Sequence, residues 1–421
     1  MSELVTRHVA GHAEEFLDAF RVVIVNGPRQ SGKTTLLQQL NKGRRGTYLT
    51  LDDGPLRSAA QADPVTFIAD GSRPMMIDEI QRGGDDLILA IKAEVDRENG
   101  RGQFVLAGST RFLSTPSLSE SLAGRAGILE VWPFAQEELA GSGRPFLVTA
   151  FNDPEALRSS SPSEYGRRDY FELICRGFYP EVIGMRSELT RDGWYRTYVQ
   201  SVIDTDIREM ARIEEPSNLR RLLGIIAAST AQEPNMAKIG SDLQLHRTTV
   251  TRYLGLLETV FLVRQIPAWS RNLVARAVRR PKLHVTDTGL SAHLIGVDAE
   301  GLAARVSPAR GPLVESFIAN EIAKQATWAP FRVGLHHWRI SQGTEVGLVL
   351  ERNNGRVIGV ESKATDSVDQ RDFRGLTTLR DSLGEDFVHG FVFYTGARSL
   401  SFGDRLIALP ISVLWERPSR S

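Results

Sequence analysis

The first third of the chain alternates short hydrophobic runs with segments whose hydrophobic residues recur at helical spacing. Five strands are predicted by hydrophobic runs at residues 22–25, 47–51, 75–77, 104–106 and 128–132. The segments between them, such as residues 86–95, predict helices. Strands that alternate with helices indicate a parallel sheet covered on both faces. We therefore predict an α/β domain over residues 1–150.

The pattern is mainly helical over residues 151–300. Within this part, three short amphipathic segments precede a hydrophobic run at residues 261–266. Three short helices followed by a strand favour a winged helix-turn-helix at about residues 219–285.

The strand pattern returns in the last part of the chain. A predicted helix at residues 315–326 precedes predicted strands at residues 336–340, 345–351, 357–362 and 390–394. This mixture predicts a separate C-terminal α/β domain over residues 301–421.

Composition narrows the class of protein. Of the 421 residues, 41% are hydrophobic and 24% are charged, which is typical of a globular protein. No hydrophobic run approaches the roughly 18–20 residues of a membrane span. The single cysteine, Cys175, excludes an intramolecular disulfide and a cysteine-rich zinc site. We expect a cytoplasmic protein with no membrane partner.

The first predicted strand runs directly into a phosphate-binding motif. Residues 27–34 read GPRQSGKT and satisfy G-x-x-x-x-G-K-[ST]. Glycines let such a loop turn its backbone N–H groups toward one point, and the following helix adds its positive end. Lys33 is expected to reach the β- and γ-phosphates, and the Thr34 hydroxyl to bind Mg²⁺. The predicted nucleotide-binding residues are Gly27, Pro28, Arg29, Gln30, Ser31, Gly32, Lys33, Thr34 and Thr35.

A pair of acids completes the predicted ATP site. Asp78 and Glu79 follow the hydrophobic run at residues 75–77. Asp78 is suited to hold Mg²⁺ from the end of the strand, and Glu79 to orient and polarise the attacking water. The chain therefore has the residues that an Mg-dependent ATPase needs.

Two further residues are catalytic candidates. Ser109 follows the fourth predicted strand, where a polar side chain can sense the γ-phosphate and position water; Thr110 is the alternative. Arg125 offers a guanidinium for the charge that develops on the transferred phosphoryl group. It would act either within its own chain or on a neighbouring subunit.

Several motifs together resemble one family, the uncharacterised prokaryotic AAA-type ATPases with a C-terminal domain of unknown function. The resemblance implies a P-loop ATPase sheet of AAA type, followed by a winged-helix segment and a restriction-endonuclease-like domain. AAA-type ATPases often form rings, so self-association is an expectation too. The resemblance rests on GPRQSGKTTL (residues 27–36), IDEIQ (77–81), AGS (107–109), SLAGR (121–125) with WPF (132–134), YLGLLE (253–258) and DTGL (287–290).

The chain contains a strongly basic segment, although its total numbers of basic and acidic residues are equal. The chain has 51 Lys and Arg against 51 Asp and Glu, but residues 219–285 hold 11 basic and 3 acidic residues, a local net charge of +8. Such a segment favours salt-dependent binding to DNA, whereas the alternative is a module that packs within the protein and exposes a basic face. The predicted nucleic-acid contacts are Arg247, Thr248, Thr249, Arg252, Arg276, Arg279 and Arg280.

The resemblance to restriction-type nucleases implies an acid on one strand and Glu-x-Lys on the next. Glu361 and Lys363 fit the second element, and Glu315 stands where such folds place a helical acid. The resemblance implies an aspartate at Gly347, and glycine cannot bind a metal through a side chain. Glu345 points to the same face but lies about 7 Å further along the strand. We therefore expect a degenerate domain without nuclease activity.

These observations give one leading hypothesis and two alternatives. The first is an ATPase whose hydrolysis moves the winged helix and the C-terminal domain on DNA or on a protein partner. The second is a regulator in which bound ATP acts as a switch and turnover is slow. The third, against expectation, is an ATP-dependent nuclease.

Overall fold

The computed structural model describes residues 4–111, 121–141, 145–159, 161–211, 213, 215–340 and 343–416. The chain forms two compact units. The first comprises Met1–Phe134 with Thr259–Phe261, and the second comprises Ala135–Glu258 with Leu262–Ser421. Each unit is described separately below.

The first unit is built on a five-stranded parallel sheet, as the hydrophobic pattern predicts. The strand order is β2-β3-β4-β1-β5, and every neighbouring pair is parallel. The extra strand β4 therefore lies between the strand that leads into the phosphate loop and the strand that ends in the acids. The strands are β1 (Val22–Asn26), β2 (Thr47–Thr50), β3 (Met75–Asp78), β4 (Phe104–Gly108) and β5 (Ala126–Glu130).

Both faces of this sheet are buried because alternate residues of each strand point to opposite sides. In β1, Val22 and Ile24 belong to one hydrophobic cluster, and Val23 and Val25 belong to the other. Helices cover the two faces. Because all five strands are parallel, their carboxyl ends lie together at one edge of the sheet. The helices of this unit are Val9–Ala19, Lys33–Arg44, Gly54–Ala62, Pro64–Ala69 and Asp85–Arg97, with a 3₁₀ turn at Ile80–Gly83.

The second unit begins with a helical region, again as predicted. A π-helical segment, Val202–Ile207, follows the helix Glu188–Ser201. No described helix is both long and apolar enough to cross a membrane. The helices of this unit are Gln136–Ala140, Phe146–Asn152, Arg167–Arg176, Pro180–Ile183, Glu188–Ser201, Arg208–Met210, Pro216–Ala228, Met236–Leu243, Arg247–Thr259, Leu273–Val278, Thr288–Ile295, Ala299–Ala303, Arg310–Gln325 and Arg374–Leu383.

A two-stranded antiparallel sheet follows the helix Arg247–Thr259. It pairs β6 (Val263–Ile266) with β7 (Lys282–Val285). The sequence analysis predicts β6 but not β7, because a lysine and a histidine interrupt the hydrophobic pattern of this four-residue strand.

The C-terminal part of the second unit is a mixed six-stranded sheet of order β12-β13-β11-β10-β9-β8. Strands β10, β11 and β13 run parallel to one another, whereas the other pairs are antiparallel. The strands are β8 (Val333–Arg339), β9 (Glu345–Arg352), β10 (Val357–Lys363), β11 (Phe387–Tyr394), β12 (Leu400–Ser401) and β13 (Leu406–Pro410).

The helical region and the C-terminal sheet share one hydrophobic core. Phe146 and Tyr170 from the helical region pack in the same cluster as Phe317, Phe391 and Trp415. Burial of these large side chains from both parts in one cluster holds the two parts together in one compact unit; the domain boundary near residue 300 stays a prediction.

The DTGL motif has a structural explanation in this unit. Asp287 is 1% exposed, and its carboxylate accepts hydrogen bonds from the Leu290 N–H at 2.9 Å, the Phe178 N–H at 2.8 Å and the Tyr195 hydroxyl at 2.8 Å. A Cβ on Gly289 would lie 2.4 Å from that hydroxyl. The aspartate therefore caps the helix Thr288–Ile295 and joins three segments.

Replacing this carboxylate with an amide should destabilise the second unit. Asp287→Asn presents an NH₂ group to donors, so at least one buried hydrogen bond is lost, and we expect the free energy of unfolding to fall by about 3 kcal/mol. Asp298→Asn is the matched control because Asp298 caps a helix through one bond to Gly301 N–H and asparagine caps equally well. Urea unfolding followed by tryptophan fluorescence measures both. Equal effects of the two substitutions would contradict the triple role of Asp287.

Candidate nucleotide-binding site

The predicted phosphate loop connects β1 to the helix Lys33–Arg44. A Cβ on Gly27 would lie 2.0 Å from the Val131 carbonyl oxygen, and Gly32 has φ +94°, so both positions require glycine. Arg7 holds the loop from outside the motif, donating to Ser31 O at 2.8 Å and to Trp132 O at 2.6 Å. Sequence reasoning missed Arg7 because it lies 20 residues before the loop.

Lys33 and Thr34 begin the helix at the end of this loop. Lys33 is 5% exposed, and its ammonium donates to the carbonyl oxygens of Gly27 at 3.0 Å and Pro28 at 2.8 Å. The Thr34 hydroxyl donates to Asp78 Oδ2 at 2.6 Å. The structure therefore brings the loop and the first predicted acid together.

Tyr48 supports the same carboxylate from the neighbouring strand β2. Its hydroxyl donates to Asp78 Oδ2 at 3.2 Å. Burial, with the nearby charge of Asp78, raises the pKa of Tyr48 to about 12, so the hydroxyl stays protonated as a donor. Sequence reasoning missed this residue because a tyrosine in a strand is usually a core residue.

Glu79, Gln81 and Ser109 form a hydrogen-bonded chain at the ends of β3 and β4. Glu79 has φ +54°, and its Oε2 accepts from Gln81 Nε2 at 2.5 Å. Gln81 Nε2 also lies 3.3 Å from Ser109 Oγ. Burial raises the pKa of Glu79, and the positive charge of Lys33 opposes that rise. The predicted water-orienting acid and the predicted polar sensor thus meet through a residue to which the sequence analysis assigned no role.

Arg125 does not join this group. It precedes β5 at the amino end of the sheet, where its guanidinium pairs with Asp96 at 2.6 and 2.9 Å. Because β1 and β5 are parallel, the five-residue strand, roughly 13 Å long, separates this edge from the phosphate loop. The interpretation that Arg125 acts within its own chain is therefore wrong, whereas a role at a neighbouring subunit stays a prediction.

The side chains of the loop fit Mg-ATP. Ser31 Oγ in this loop is buried with no hydrogen-bond partner in the described part of the chain. An ammonium and a hydroxyl–carboxylate pair stand beside this loop. These groups match a polyphosphate and the hard oxygen ligands that Mg²⁺ prefers.

The basic segment separates into exposed residues and residues that are paired internally. Arg247, Thr248 and Arg252 are exposed at the start of the helix Arg247–Thr259, and Thr249 is half-buried. Arg280 and Arg279 are exposed too, although Arg279 donates to Arg339 O at 3.2 Å. These positions remain predicted nucleic-acid contacts.

Within the described part of the chain, acids outside the segment pair with at least four of its eleven basic side chains. The prediction for Arg276 is wrong on physical grounds, because its guanidinium is held at 2.6 and 2.8 Å by both oxygens of Glu351. The net charge of +8 therefore overstates the positive field at the surface. The pairs are Arg220–Asp204, Arg271–Asp386, Arg276–Glu351 and Lys282–Glu315.

The predicted C-terminal site holds a lysine beside one of its carboxylates. Lys282 Nζ lies 2.7 Å from Glu315 Oε1, and Glu361 Oε1 accepts from Gly347 N–H at 2.9 Å. A Cβ on Gly347 would lie 3.1 Å from Glu315 Oε1. Glu315, Gly347 and Glu361 are thus neighbours, and the ammonium of Lys282 supplies positive charge beside Glu315.

The other two predicted members point elsewhere. Glu345 is exposed and lies 3.9 Å from Arg339, whereas Lys363 pairs with Asp372 at 3.1 Å. Among the described residues, no cluster of three or more His, Cys, Asp or Glu side chains could hold a metal ion. Glu345 therefore does not lie where it could replace the missing aspartate.

Comparison with known families divides the chain into three matched parts. Residues 19–140 match an AAA domain. Residues 167–301 match a domain of unknown function, DUF8612, and residues 310–414 match another, DUF4143. A similar protein of Mycobacterium tuberculosis is 27% identical over 96% of this chain and 83% of its own length. Another similar protein, from Haemophilus influenzae, is 23% identical over 69% of this chain and 74% of its own length. Both carry the name uncharacterized protein.

Among solved structures, similarity is found to a Walker-type ATPase of Pyrococcus abyssi. It is 14% identical over 69% of this chain and 96% of that chain, with a TM-score of 0.45. The RuvB Holliday junction branch migration motor of Thermotoga maritima is 16% identical over 62% of this chain and 90% of that chain, with a TM-score of 0.30. The DnaA structure from Aquifex aeolicus is 13% identical over 60% of this chain and 86% of that chain, with a TM-score of 0.29. Similarity at this level carries no functional information.

The buried carboxyl group of Glu361 should make the stability of the second unit depend on pH. Burial, with the negative charge of Glu315, raises its pKa from 4.5 to about 8. Between these values the unfolded chain has lost a proton that the folded chain retains, so the free energy of unfolding should fall as pH rises.

Glu361→Gln should remove this part of the slope, because the amide does not ionise. Urea unfolding between pH 5 and 8.5, roughly the range over which the group titrates, measures the effect. Glu137, whose pKa burial also raises to about 8, leaves a residual slope in the variant. An unchanged slope in Glu361→Gln would contradict the assignment.

Proposed function

Because the chain combines an AAA domain with a C-terminal DUF4143 domain, we propose that it binds ATP and hydrolyses it in an Mg-dependent reaction. One observation carries the proposal: the Thr34 hydroxyl meets the Asp78 carboxylate at 2.6 Å, directly beside Glu79. Residues of the motif and the two acids, more than 40 positions apart, thus share one small site. Such a grouping is what a phosphoryl-transfer site requires.

Binding would use the loop and the first turn of its helix. The backbone N–H groups of residues 27–35 and the ammonium of Lys33 are suited to the phosphate oxygens, and Lys33 would exchange its two loop carbonyls for them. Thr34 and Asp78 would hold Mg²⁺, which neutralises charge on the phosphates when bound. The Tyr48 hydroxyl keeps Asp78 oriented toward the loop.

Hydrolysis would depend on Glu79. A carboxylate whose pKa is raised by burial is a stronger base than an exposed one while it remains ionised near neutral pH. It would orient the attacking water and withdraw its proton, with Ser109 placed at the end of β4 to contact the terminal phosphate. Turnover should consequently fall as pH is lowered through a pKa above the ordinary value of 4.5.

Glu79→Gln tests this assignment. We expect ATP affinity within about twofold of wild type and turnover reduced by about 10²-fold or more, the usual contribution of a general base. Calorimetry measures the affinity and phosphate release measures turnover. Glu94→Gln, a largely buried glutamate paired with Arg97 in the same unit, is the matched control and should leave both values unchanged.

Two results would contradict the proposal. Failure of wild-type protein to bind ATP, with Lys33→Ala changing nothing, would remove its foundation. Binding without turnover in wild-type protein would instead favour the alternative, a regulator in which nucleotide occupancy is the switch.

We further propose that hydrolysis is coupled to the second unit acting on DNA. Three helices followed by the antiparallel pair β6–β7 match the arrangement of a winged helix. Arg247 and Arg252 are exposed on its third helix, the element that enters the major groove in such modules. The internally paired Lys282 would instead hold β7 to the helix Arg310–Gln325, and Arg276 would hold the helix Leu273–Val278 to β9.

The DNA contact is tested by the dependence of ATP turnover on salt. Double-stranded DNA should stimulate wild-type turnover, and the stimulation should fade as salt rises, because each phosphate contact releases counterions.

Arg247→Ala with Arg252→Ala should lower the slope of log DNA affinity against log salt concentration by about 2. The charge-matched control is Arg168→Ala with Arg196→Ala, two exposed arginines outside the segment. Equal behaviour of the two variants would contradict DNA binding by this helix.

A further inference from the structure

Gln81 occupies a position at which two strand ends are linked. It lies in the 3₁₀ turn Ile80–Gly83 that follows β3. Its amide nitrogen donates to Glu79 Oε2 at 2.5 Å and to Ser109 Oγ at 3.3 Å. The first bond is short and ends on a carboxylate, whereas the second is long and ends on a neutral hydroxyl. Charge-assisted bonds are the stronger kind, so the link to Ser109 is the one that exchanges easily.

The surroundings of Gln81 are shaped to hold this amide. A Cβ on Gly108 would lie 2.9 Å from Gln81 Oε1, so glycine at this position gives the amide its room. Oε1 is buried without a hydrogen-bond partner in the described part of the chain. An unpaired buried carbonyl is unfavourable, and the amide is nevertheless held here because its nitrogen is bound on both sides.

Ser109 stands next to the phosphate loop. Strands β1 and β4 are paired in parallel, with Asn26 opposite Gly108, so the next residues in register are Gly27 and Ser109. The Ser109 oxygen accepts the long bond from Gln81, so the hydroxyl can donate its own hydrogen to a phosphate oxygen in the loop at the same time.

We propose that Gln81 is a positioning residue that couples the occupancy of the terminal phosphate subsite, detected at Ser109, to the orientation of Glu79. The inference rests on the proposed ATP hydrolysis. When Ser109 donates to the terminal phosphate, its oxygen is held in place as an acceptor of the Gln81 amide, and the amide fixes the Glu79 carboxylate for water activation. With a diphosphate, the Ser109 hydroxyl has no phosphate partner, and the amide and the carboxylate are held less firmly.

Gln81→Met keeps the length of the side chain and removes both hydrogen bonds. We expect ATP affinity within about twofold of wild type and turnover reduced by about tenfold, a split that loss of folding would not produce. The matched control is Gln265→Met, which removes an equally short 2.5 Å bond to Glu258 in the second unit and should change neither value.

A double-mutant cycle tests the coupling itself. If Gln81 and Ser109 act as one device, Gln81→Met combined with Ser109→Ala should lose about as much turnover as the more damaging single change. Losses that multiply would overturn the coupling. A Gln81→Met protein that behaves like Gln265→Met would overturn the role of Gln81 altogether.

Failure of ATP hydrolysis itself is distinguishable from failure of this inference. If wild-type protein shows no turnover, the proposed function fails and the inference that rests on it fails too. If wild-type protein hydrolyses ATP and Gln81→Met hydrolyses it at the same rate, the inference alone is overturned.

Discussion

The hydrogen bond between Thr34 and Asp78 is the contact on which the site depends. The two residues belong to strand connections that are not adjacent in the sheet, because β4 lies between β1 and β3. The parallel arrangement brings the carboxyl ends of β1, β3 and β4 to one edge of the sheet. Glu79, Gln81 and Ser109 meet at this edge, where β3 and β4 end. The loop supplies positive charge and N–H donors from one side, and the acids supply negative charge from the other. A polyphosphate with a divalent cation is the ligand that balances both.

The elements of this site that lie in continuous motifs could be predicted from the sequence. The loop at residues 27–35 and the acids Asp78 and Glu79 follow hydrophobic runs of strand length, so their placement at the sheet edge is dictated locally. Arg7, Tyr48 and Gln81 could not be found in this way. Their functions arise from contacts across the fold, such as the bond from Arg7 to Trp132 O over a separation of 125 residues, and no local pattern marks them.

Position along a parallel strand decides what a residue can reach, and Arg125 illustrates this. Its sequence context suggests a catalytic arginine, yet it precedes β5 and therefore lies at the amino edge, whereas the phosphate loop lies at the carboxyl edge. The same topology that gathers Thr34, Asp78 and Ser109 separates Arg125 from them. Predicting which strand end carries a residue thus matters as much as predicting the strand.

Charge counted along a segment is not charge presented at a surface. Residues 219–285 look strongly basic, but Arg276 and Lys282 are held by Glu351 and Glu315, acids that lie 75 and 33 residues away. The exposed arginines on the helix Arg247–Thr259 remain available for a polyanion.

The Lys282–Glu315 pair also places positive charge at the predicted C-terminal site. Glu315 and Glu361 are close enough that one raises the pKa of the other, so a cation is required if both are to be charged. In a metal site a divalent ion would supply it; here Gly347 removes a ligand, and the ammonium of Lys282 lies 2.7 Å from Glu315. That ammonium comes from β7, so the same pair ties the β6–β7 sheet to the helix Arg310–Gln325.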